Sequence, residues 1–438
     1  MIETAQRVFR NTLAALDISA AIERKLARDG ESLRIHDAHV ALGAFRKILA
    51  IAFGKASVAM SQGLLRVLAP DFVPEGILVC PEKPPRELAG WKTFAGGHPT
   101  PNEDSFAAGR AILDRLAQCD DRTLIFFLIS GGGSAMVEQP LDPAVTLEDF
   151  RALHKALVNC GAPIEEINSV RKHVSATKGG RLAAAASRSM KITLAVSDVP
   201  TGQESALASG PTLPDPSTVD DVRRVVVSYK FAPELPERLR AALDSKALQE
   251  TPKAGAAAFD RSQFVLLLGE HELLHAAHHA CEAEGYICFC DETTNNQPVE
   301  KAAEYLLAQL DAFANANPGK GVAVLADGEV SSPVTGEGVG GRNAAFVLAC
   351  VENIAGKNIT VLSAGTDGID GNSPAAGAVA NGGSAARARD AKLDPRESAS
   401  RSDSHTFFSR LGDAIMIGPT GNNLRDLRIL LAGEPRKS

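Results

Sequence analysis

The sequence predicts an α/β fold with two open α/β domains, each a parallel or mixed sheet flanked by helices. Apolar, β-like runs alternate with helix-like segments along the whole chain, a pattern typical of sheets covered by helices. The length of 438 residues allows two or three domains at about 150 residues each. Between residues 245 and 260 the periodicity is lost, and Gly, Pro and Ala accumulate.

This break predicts one domain over residues 1–250 and a second over residues 260–438, with a surface loop inside one large domain as the alternative. In open α/β sheets, ligands bind beyond the carboxyl ends of the strands. We therefore expect the active site in the cleft between the two domains.

The individual elements follow from the spacing of apolar residues, which is near two in strands and near 3.6 in helices. In the first half, strands are predicted at 48–53, 76–80, 123–130 and 192–198, and helices at 56–68, 103–119 and 147–159. In the second half, strands are predicted at 264–269, 286–290, 322–327, 359–365 and 414–418, and helices at 272–284, 299–314 and 343–354.

The composition is that of an ordinary globular protein, with 45% hydrophobic and 23% charged residues. The net charge of -7 argues against nucleic acid as a principal partner, because nucleic-acid binding normally leaves a basic footprint. No apolar stretch is long enough to span a bilayer, so no membrane is expected as a partner. Seven cysteines, an odd number, fit reduced thiols and predict a cytoplasmic protein.

Glycine-rich loops after strand-like runs indicate a phosphate-binding site. Gly54 and Lys55 follow the run at 48–53, and Ser130-Gly131-Gly132-Gly133-Ser134 closes the run at 123–130. Glycine lets backbone amides crowd an oxyanion, and a following helix N-terminus adds about half a positive charge. A lysine at a helix N-terminus is unfavourable unless an anion binds there, so Lys55 is a candidate catalytic residue.

A third loop, at 336–343, lies beyond the run at 322–327 and ends in Gly340, Gly341, Arg342 and Asn343. The guanidinium of Arg342 can hold two phosphate oxygens at once. We therefore predict that Arg342 is catalytic and that the neighbouring residues of the loop contact a nucleotide.

Acidic turns after other strand-like runs are candidate magnesium ligands. Asp198 ends the run at 192–198, Asp367 follows the run at 359–365, and Asp327 is followed by Gly328 and Glu329. Mg²⁺ favours one or two carboxylates together with substrate phosphates. Because Asp-Gly is also common turn chemistry, a purely structural role is the alternative for each aspartate.

Three well-known motifs are absent. The P-loop requires a glycine five residues before its Gly-Lys-Ser/Thr, but position 49 is Leu49 and Lys55 is followed by Ala56. The turn after 48–53 supplies one glycine where the dinucleotide-binding motif needs three. Ser134 lacks the second glycine of a nucleophile elbow. These absences argue against a Walker-type NTPase, a Rossmann dehydrogenase and a serine hydrolase.

One motif does match its pattern. His271-Glu272-Leu273-Leu274-His275 reads H-E-x-x-H, which on a helix could bind zinc with the glutamate as base. The segment opens after the run at 264–269 and leads into the run at 286–290, and no third-ligand spacing follows. We predict instead the crossover helix of a β-α-β unit with a solvated histidine face.

A set of motifs keeps its order along nearly the whole chain and resembles the glycerate kinases that end in a MOFRL domain. The motifs are GKAS (54–57), GGHPTPNEDS (96–105), SGGGS (130–134), INSVRKHVSATKGGRLA (167–183), SDVPTGQESALASGPTLPD (197–215), DGE with GVGGRN (327–343) and SAGTDGIDGNS (363–373). The resemblance implies a Rossmann-like first domain, a MOFRL-type second domain and ATP-dependent phosphorylation of D-glycerate, commonly at the 2-hydroxyl, in glyoxylate, serine or tartrate breakdown.

The resemblance also implies roles for single residues. Lys55 and Arg342 match the basic pair on opposite sides of the family's interdomain cleft, 130–134 matches a phosphate or substrate loop, and Asp198 and Asp367 match acidic positions near the active site. In the segment Gly418–Asp426 the family pattern reads Thr-Asn-Val-Asn-Asp after Pro-Thr-Gly, so Asn422 and Arg425 are departures.

The expected mechanism is direct in-line transfer, which depends on positioning and charge stabilisation. Lys55, Arg342 and Mg²⁺ would supply positive charge, and Asp198 or Asp367 would bind the metal or accept the proton. The carboxylate of D-glycerate needs its own partner, for which Arg171, Lys172 and the amides of 130–134 are the candidates.

The resemblance leaves open the product, 2- or 3-phosphoglycerate, and the state, monomer or homodimer. Some members of the family carry the name hydroxypyruvate reductase. An NAD(P)H-dependent activity of that kind is the alternative function, although the missing dinucleotide loop argues against it.

Overall fold

The computed structural model describes residues 1–35, 38–200, 202–244, 248–421 and 423–435. They form two compact units, Ile18–Leu267 and Met1–Asp17 with Leu268–Ser438, which we call the N-terminal unit and the C-terminal unit. The first helix, α1 (Ile2–Ala15), belongs to the C-terminal unit because it packs on a helix and on the main sheet there. The units therefore differ from the predicted ranges, 1–250 and 260–438, at the N-terminus and at the boundary.

The N-terminal unit opens with a helix and a small antiparallel sheet, which are α2 (Ile18–Lys25), β1 (Leu26–Asp29), β2 (Ser32–Ile35) and β3 (Ala38–Ala41). Its main sheet contains β4 (Lys47–Phe53), β5 (Glu75–Cys80), β6 (Trp91–Ala95), β7 (Thr123–Ser130), β8 (Met190–Val196) and β9 (Ser262–Leu268).

The main sheet of the N-terminal unit has the strand order β6-β5-β4-β7-β8-β9, with parallel pairing from β6 through β8. Counted along the chain, this is the 3-2-1-4-5-6 order of doubly wound dinucleotide-binding folds. The order reverses between β4 and β7, and ligands of such sheets bind at that point.

The helices of the N-terminal unit are α3 (Ser57–Leu68), α4 (Glu103–Leu116), α5 (Gly133–Met136), α6 (Leu147–Asn159), α7 (Ile164–Val174), α8 (Arg181–Ala185), α9 (Val219–Tyr229) and α10 (Glu237–Leu243). Of these, α3 and α4 pack on the main sheet, whereas α6, α7, α9 and α10 share a separate apolar core. Asn102, Thr146 and Thr218 begin α4, α6 and α9 with side-chain capping boxes, which explains why these helices start there. All side chains of β7 are buried, as expected for a central parallel strand.

The main sheet of the C-terminal unit is mixed. It contains β10 (Ile287–Asp291), β11 (Val322–Asp327), β12 (Ile359–Gly365), β13 (Gly377–Asn381), β14 (Ala414–Ile415) and β15 (Asp426–Ala432), in the order β10-β11-β15-β12-β13-β14. Only the β10–β11 pair is parallel among these described strands, and β15 lies antiparallel between β11 and β12. Its helices are α11 (Glu270–Ala283), α12 (Val299–Ala316), α13 (Arg342–Cys350), α14 (Ser384–Asp390), α15 (Pro395–Ser400) and α16 (Ser404–Leu411).

The structure confirms the predicted α/β class with parallel and mixed sheets, and it corrects three details. The strand predicted at 264–269 lies at the edge of the N-terminal sheet as β9, not in the second domain. Consequently α11 joins strands of two different sheets, and the prediction of a β-α-β crossover at 272–284 was wrong. The strand predicted at 414–418 is reduced to the two residues of β14. Among the described residues, no helix combines the length and apolar character needed to cross a membrane.

Candidate active site

In the N-terminal unit, the loops after β4 and β7 lie against each other at the point where the strand order reverses. Phe53 and Ile129 are paired at the carboxyl ends of the two strands. Beyond them, the amide of Lys55 donates to the carbonyl of Gly131 at 2.9 Å, and the amide of Ala56 donates to the Ser130 hydroxyl at 2.9 Å. The start of α3 is therefore tied directly to the glycine loop at 130–134.

Gly54 makes this close packing possible. Its φ of 113° is one that side-chain-bearing residues rarely adopt, and a Cβ at this position would lie 2.5 Å from the carbonyl oxygen of Ser130. Only glycine satisfies both conditions at once. The predicted Gly54-Lys55 loop is thus a fixed turn that brings the backbone of β7 next to α3.

The glycine loop presents amide groups that the chain itself does not use. Gly132 has a left-handed φ of 82°, which turns the chain into the single helical turn of α5. Within the described part of the chain, the amides of Gly132, Gly133 and Ser134 donate to no other group. These are the orphan donors of a helix start, and backbone amides of this kind can bind an anion.

Lys55 and His98 lie on either side of Gly132. A Cβ at Gly132 would be 3.4 Å from Cγ of Lys55 and 3.1 Å from the His98 ring, so both side chains border the loop. Desolvation by neighbouring groups lowers the pKa of His98, and the positive charge of Lys55 lowers it further. The edge of the loop therefore carries a lysine cation beside a neutral imidazole at pH 7.

Ser134 is also placed by a second segment. Its hydroxyl lies 2.8 Å from that of Ser209, a residue in left-handed conformation with a φ of 61°. The carbonyl of Ser209 in turn accepts from the amide of Gly179. Sequence reasoning missed Ser209, although it lies within the motif at 197–215; its conformation could not be read from the sequence.

Arg171 lies on α7 and is the best described candidate for binding a carboxylate. Nη2 of its guanidinium lies 2.8 Å from Nδ1 of His154. Desolvation lowers the pKa of Arg171, which the charge of Glu138 partly opposes, and desolvation together with Arg171 lowers the pKa of His154. A neutral His154 can accept this hydrogen bond and hold the guanidinium in place without neutralising it.

Lys172, the neighbour of Arg171, is buried and has a different environment. Its ammonium lies 3.0 Å from Asp215, which also accepts from Ser217 and Thr251. The pair is almost fully shielded from solvent. Lys172 therefore ties α7 to the segments around 215 and 251, and it is not presented to a ligand.

Asp198, the predicted metal ligand of this unit, is half-buried and lies two residues beyond β8. It lies on the same side of the sheet as the loops after β4 and β7, since all three follow the carboxyl ends of parallel strands. Thr201, in the same turn, lies outside the described residues.

In the C-terminal unit, Arg342 begins α13 and is held by two carboxylates. Nε donates to Oδ2 of Asp426 at 2.5 Å, Nη1 donates to Oε2 of Glu329 at 2.9 Å, and Nη2 lies 2.7 Å from Oε1 of Glu329. Burial lowers the pKa of Arg342, but the two carboxylates outweigh burial and raise it above its ordinary value. Arg342 is thus a permanent cation whose charge is compensated within the chain.

Two buried arginines, one just before β15 and one within it, stiffen the same edge of the sheet. Arg425 pairs with Asp327 at 2.8 Å, and Arg428 donates to the backbone carbonyls of Asp327 and Gly328 at 2.5 and 2.9 Å. Burial lowers the pKa of Arg428 to about 10, in part against the nearby carboxylates. Together these bonds fix the turn that leads to Glu329.

Arg425 explains one departure from the family pattern. It has a φ of 81°, a conformation that Asn, the residue expected there, adopts more readily than Arg. In this chain the strain accompanies the buried ion pair with Asp327. Asn422, the other departure in Gly418–Asp426, lies outside the described residues.

At the predicted nucleotide loop, 340–343, and just after it, three backbone amides donate to side chains of the turn after β12. The amides of Asn343 and Ala344 donate to Asp370, and the amide of Gly340 donates to Asn372. Burial raises the pKa of Asp370 to about 6 in spite of the two amide donors. The start of α13 therefore already holds a carboxylate, while Gly341 packs against Asp370 too closely to carry a side chain.

Asp367 is half-buried in the turn after β12. Its Oδ1 accepts from the amide of Ile369 at 3.1 Å, and its backbone carbonyl accepts from Thr420. Asp367 therefore helps to form the turn after β12, and its carboxylate remains partly accessible to solvent.

The H-E-x-x-H segment lies at the start of α11. Nε2 of His275 is 3.1 Å from Nε2 of His279, and Nδ1 of His271 is 3.9 Å from Glu292. No group of three or more His, Cys, Asp or Glu residues in the described part of the chain is arranged to hold a metal ion. His271 and His275 are solvent-facing residues of a surface helix.

A doubly wound sheet of this strand order defines the class of open α/β proteins, whose ligands bind beyond the carboxyl ends of the strands. A family model described as a domain of unknown function, DUF4147, matches residues 4–244, and the MOFRL family model matches residues 322–426. The chain belongs to the DUF4147 and MOFRL family of glycerate kinases, which confirms the resemblance of the motifs.

Relatives and solved structures agree with this assignment. A protein of Agrobacterium vitis, provisionally named a hydroxypyruvate reductase, is 35% identical over 88% of this chain and 87% of its own. The D-glycerate 2-kinase of Thermotoga maritima is 31% identical over 87% of this chain and 90% of its own. A crystal structure of a glycerate kinase from T. maritima is similar with a TM-score of 0.85 and 28% identity, covering 99% of both chains.

Proposed function

We propose that this protein is an ATP-dependent kinase that phosphorylates D-glycerate at its 2-hydroxyl and releases 2-phosphoglycerate. The observation that carries the proposal is the glycine loop at the switch point of the N-terminal sheet, where the amides of 132–134 have no partner among the described residues and Lys55 lies alongside. An oxyanion with several acceptor atoms, such as a phosphate, satisfies such a set. Family membership supplies the substrates, D-glycerate and ATP.

The roles of the residues follow from their environments. Lys55 and Arg342 would stabilise the charge that spreads over the transferring phosphoryl group, because phosphoryl transfer is catalysed mainly by positioning and electrostatics. Arg171, a desolvated guanidinium with a neutral partner, would bind the carboxylate of glycerate. Lys172 is assigned no ligand, since its charge is used by Asp215.

The magnesium ion that accompanies ATP fits the carboxylates of the chain. Asp198 and Asp367 are each half-buried, and the described residues hold no cage of three acidic or imidazole ligands. One carboxylate plus substrate phosphates is the set that Mg²⁺ favours. When bound, the ion would neutralise phosphate charge; the carboxylate that does not hold it is the candidate acceptor for the proton of the 2-hydroxyl. Asp370 is not a candidate, because it caps α13 and is buried.

The choice of the 2-hydroxyl follows from how glycerate would be held. This hydroxyl is on the carbon that carries the carboxylate, so anchoring the carboxylate at Arg171 fixes it closely, whereas the 3-hydroxyl is one bond further away. Orientation of the reacting group contributes up to about 7–11 kcal/mol in favourable cases. The 3-kinase reaction is the alternative regiochemistry.

The test is an assay with ATP, Mg²⁺ and D-glycerate in which the product is coupled through enolase without phosphoglycerate mutase. Enolase accepts 2-phosphoglycerate only, so a signal without mutase is the expected result. A signal that requires mutase would establish the 3-kinase reaction instead. No ADP formation with D-glycerate would refute the kinase assignment.

A second function, NAD(P)H-dependent reduction of hydroxypyruvate, is favoured by one observation, the strand order of the N-terminal sheet. The turn after β4 argues against it, because it supplies one glycine, Gly54, where the dinucleotide motif needs three. Oxidation of NADH or NADPH on addition of hydroxypyruvate, at rates above those with ATP and glycerate, would reverse our choice. We also propose a cytoplasmic location, in keeping with the seven free thiols.

A further inference from the structure

The guanidinium of Arg342 has no room for a phosphate in the arrangement seen here. Glu329 contacts Nη1 and Nη2, while Asp426 contacts Nε at 2.5 Å and Nη2 at 3.5 Å. Both edges of the planar group that can bind an anion in bidentate fashion are therefore taken. A phosphate can therefore reach the guanidinium of Arg342 only if one of the two carboxylates leaves it.

The two carboxylates are held very differently. The side chain of Asp426 is 4% exposed and belongs to the first residue of β15, which is paired with Gly365 of β12. The side chain of Glu329 is 44% exposed and projects from a loop. The backbone of Glu329 is fixed, because its amide donates to Asn295 and its carbonyl accepts from Asn296. Glu329 can therefore swing its carboxylate away without moving the chain, and Asp426 cannot.

We propose that Glu329 is an internal substitute for phosphate. It occupies the outer edge of Arg342 when no phosphate donor is bound, and it is displaced when the phosphates of the nucleotide arrive. Asp426 stays in place throughout and acts as the positioning residue that aims the guanidinium. The inference rests on the proposed function in that it takes the polyphosphate of ATP as the displacing ligand. No covalent bond changes; one carboxylate leaves the guanidinium and one phosphate oxygen pair replaces it.

The exchange is favourable for two physical reasons. A partly exposed ion pair contributes little to stability, so releasing Glu329 to water costs little. A polyphosphate carries more charge than a carboxylate and can contact Arg342 with two oxygens. In the absence of ligand, Glu329 accepts hydrogen bonds from the outer edge of Arg342, while Asp426 compensates the charge of the guanidinium.

The test compares full-length wild-type protein with Glu329→Gln, which keeps the shape and removes the charge. Inorganic tripolyphosphate, the phosphate portion of the nucleotide alone, is titrated into each protein by calorimetry with and without Mg²⁺. We expect Glu329→Gln to bind tripolyphosphate about two- to five-fold more tightly, the factor that corresponds to one partly exposed ion pair. The KM for ATP should fall by a similar factor.

Two further variants make the result specific. Glu284→Gln removes the same charge from another two-contact Arg–Glu pair of the C-terminal unit, with Arg7, and should leave tripolyphosphate affinity unchanged. Asp426→Asn should lower kcat and should not tighten tripolyphosphate binding. It weakens the ion pair that orients Arg342 but leaves Glu329 on the outer edge of the guanidinium. Melting temperatures verify that each variant is folded.

Equal or weaker binding by Glu329→Gln would overturn the inference, and so would a wild-type protein that does not bind tripolyphosphate. Weaker binding only with Mg²⁺ present would make Glu329 a metal ligand and would overturn it as well. Tighter binding by Glu329→Gln in a protein that fails to phosphorylate D-glycerate would leave the inference standing while refuting the proposed function.

Discussion

The two regions assigned to phosphate differ in how their positive groups are satisfied. In the N-terminal unit, the glycine loop beside Lys55 offers amides at 132–134 that no described residue uses. In the C-terminal unit, Arg342 is paired with Asp426 and Glu329, and the amides that begin α13 donate to Asp370. One region is open to an anion, and the other contains its own.

The difference follows from the chemistry of the donors. A backbone amide is neutral, so a loop can leave it to solvent until a ligand arrives at a modest cost in free energy. A half-buried guanidinium has charged donors along two edges, and one carboxylate cannot satisfy both edges at once. A preformed set of amides can therefore remain without an acceptor until a ligand binds. A preformed arginine site needs a second carboxylate until the ligand replaces it.

The largest expected effect tests whether both regions act on the same chemical step. Lys55→Ala and Arg342→Ala should each lower kcat by about 10²–10⁵, as other cations in phosphoryl transfer do, with the fold retained. Steady-state kinetics with D-glycerate and ATP measures the loss. Lys47→Ala, at the opposite end of β4, and Arg387→Ala, which breaks the similar pair with Asp413, are the controls and should stay within a few fold. Near-native turnover in either test variant would remove that residue from the mechanism.

A second variant, Gly54→Ala, disturbs the glycine loop at 130–134 through a steric clash alone. Gly54→Ala places a methyl group against the Ser130 carbonyl in a strained conformation and should cost roughly 2 to 5 kcal/mol of unfolding free energy. Gly161→Ala has a similarly positive φ but nothing within 4 Å, so it should cost only about 1–2 kcal/mol. Urea unfolding compares the two. Equal losses would mean that the contact with Ser130 does not hold the loop.

A third measurement follows how the unfolding free energy depends on pH at Asp370, which accepts from the amides at the start of α13. Burial raises the pKa of Asp370 to about 6, so its stabilising contribution is full below pH 4 and is lost as the pH rises through 6. The unfolding free energy of wild type relative to Asp370→Asn should therefore fall by up to about 3 kcal/mol between pH 4 and 7.

The control for this measurement has the opposite sign. Burial raises the pKa of Asp403, but hydrogen bonds from Thr406 and the amide of Val339 more than offset burial and hold it below its usual range. Wild type relative to Asp403→Asn should gain stability as the pH rises from acid. A fall for both aspartates, or for neither, would contradict the environment described for Asp370.

The smallest effect is expected outside both regions. The double variant His271→Ala, His275→Ala should keep kinase activity within a few fold, because these side chains lie on the surface of α11. Purified wild-type protein should contain no stoichiometric zinc. Metal analysis near one zinc per chain, lost in the double variant, would show that the helix has a function of its own.

The sequence was sufficient for elements whose local apolar pattern is uninterrupted. β7 was predicted at its observed bounds because its apolar run is continuous and ends in glycines. β15 was missed because Asp426 and Arg428 interrupt its apolar pattern, and the burial of Arg428 depends on carbonyls about 100 residues away. The sheet to which β9 belongs was mispredicted because a local run of apolar residues carries no information about its partner.

The candidate site shows the same division. Lys55, the glycine loop and Arg342 were identifiable because glycine and cations near strand ends imply a local chemistry. Asp426, Glu329 and His154 were not identified as partners, since each is defined by a contact between distant segments. The occupation of the α13 start by Asp370 also could not be foreseen, because the turn at 367–371 reads equally well as metal-binding.

The grouping of α1 with the C-terminal unit has a consequence for the synthesis of the chain. The strand β15, on which α1 packs, is completed about 420 residues after α1, which at ~5–20 residues per second is an interval of roughly 20 to 80 seconds. Until α11 follows, about 255 residues after α1, the apolar face formed by Ala5, Val8 and Phe9 has none of the elements on which it mainly packs. The nascent chain thus exposes an amphipathic helix with an apolar face while the whole N-terminal unit emerges from the ribosome, which makes α1 a segment where a chaperone has much to gain by binding.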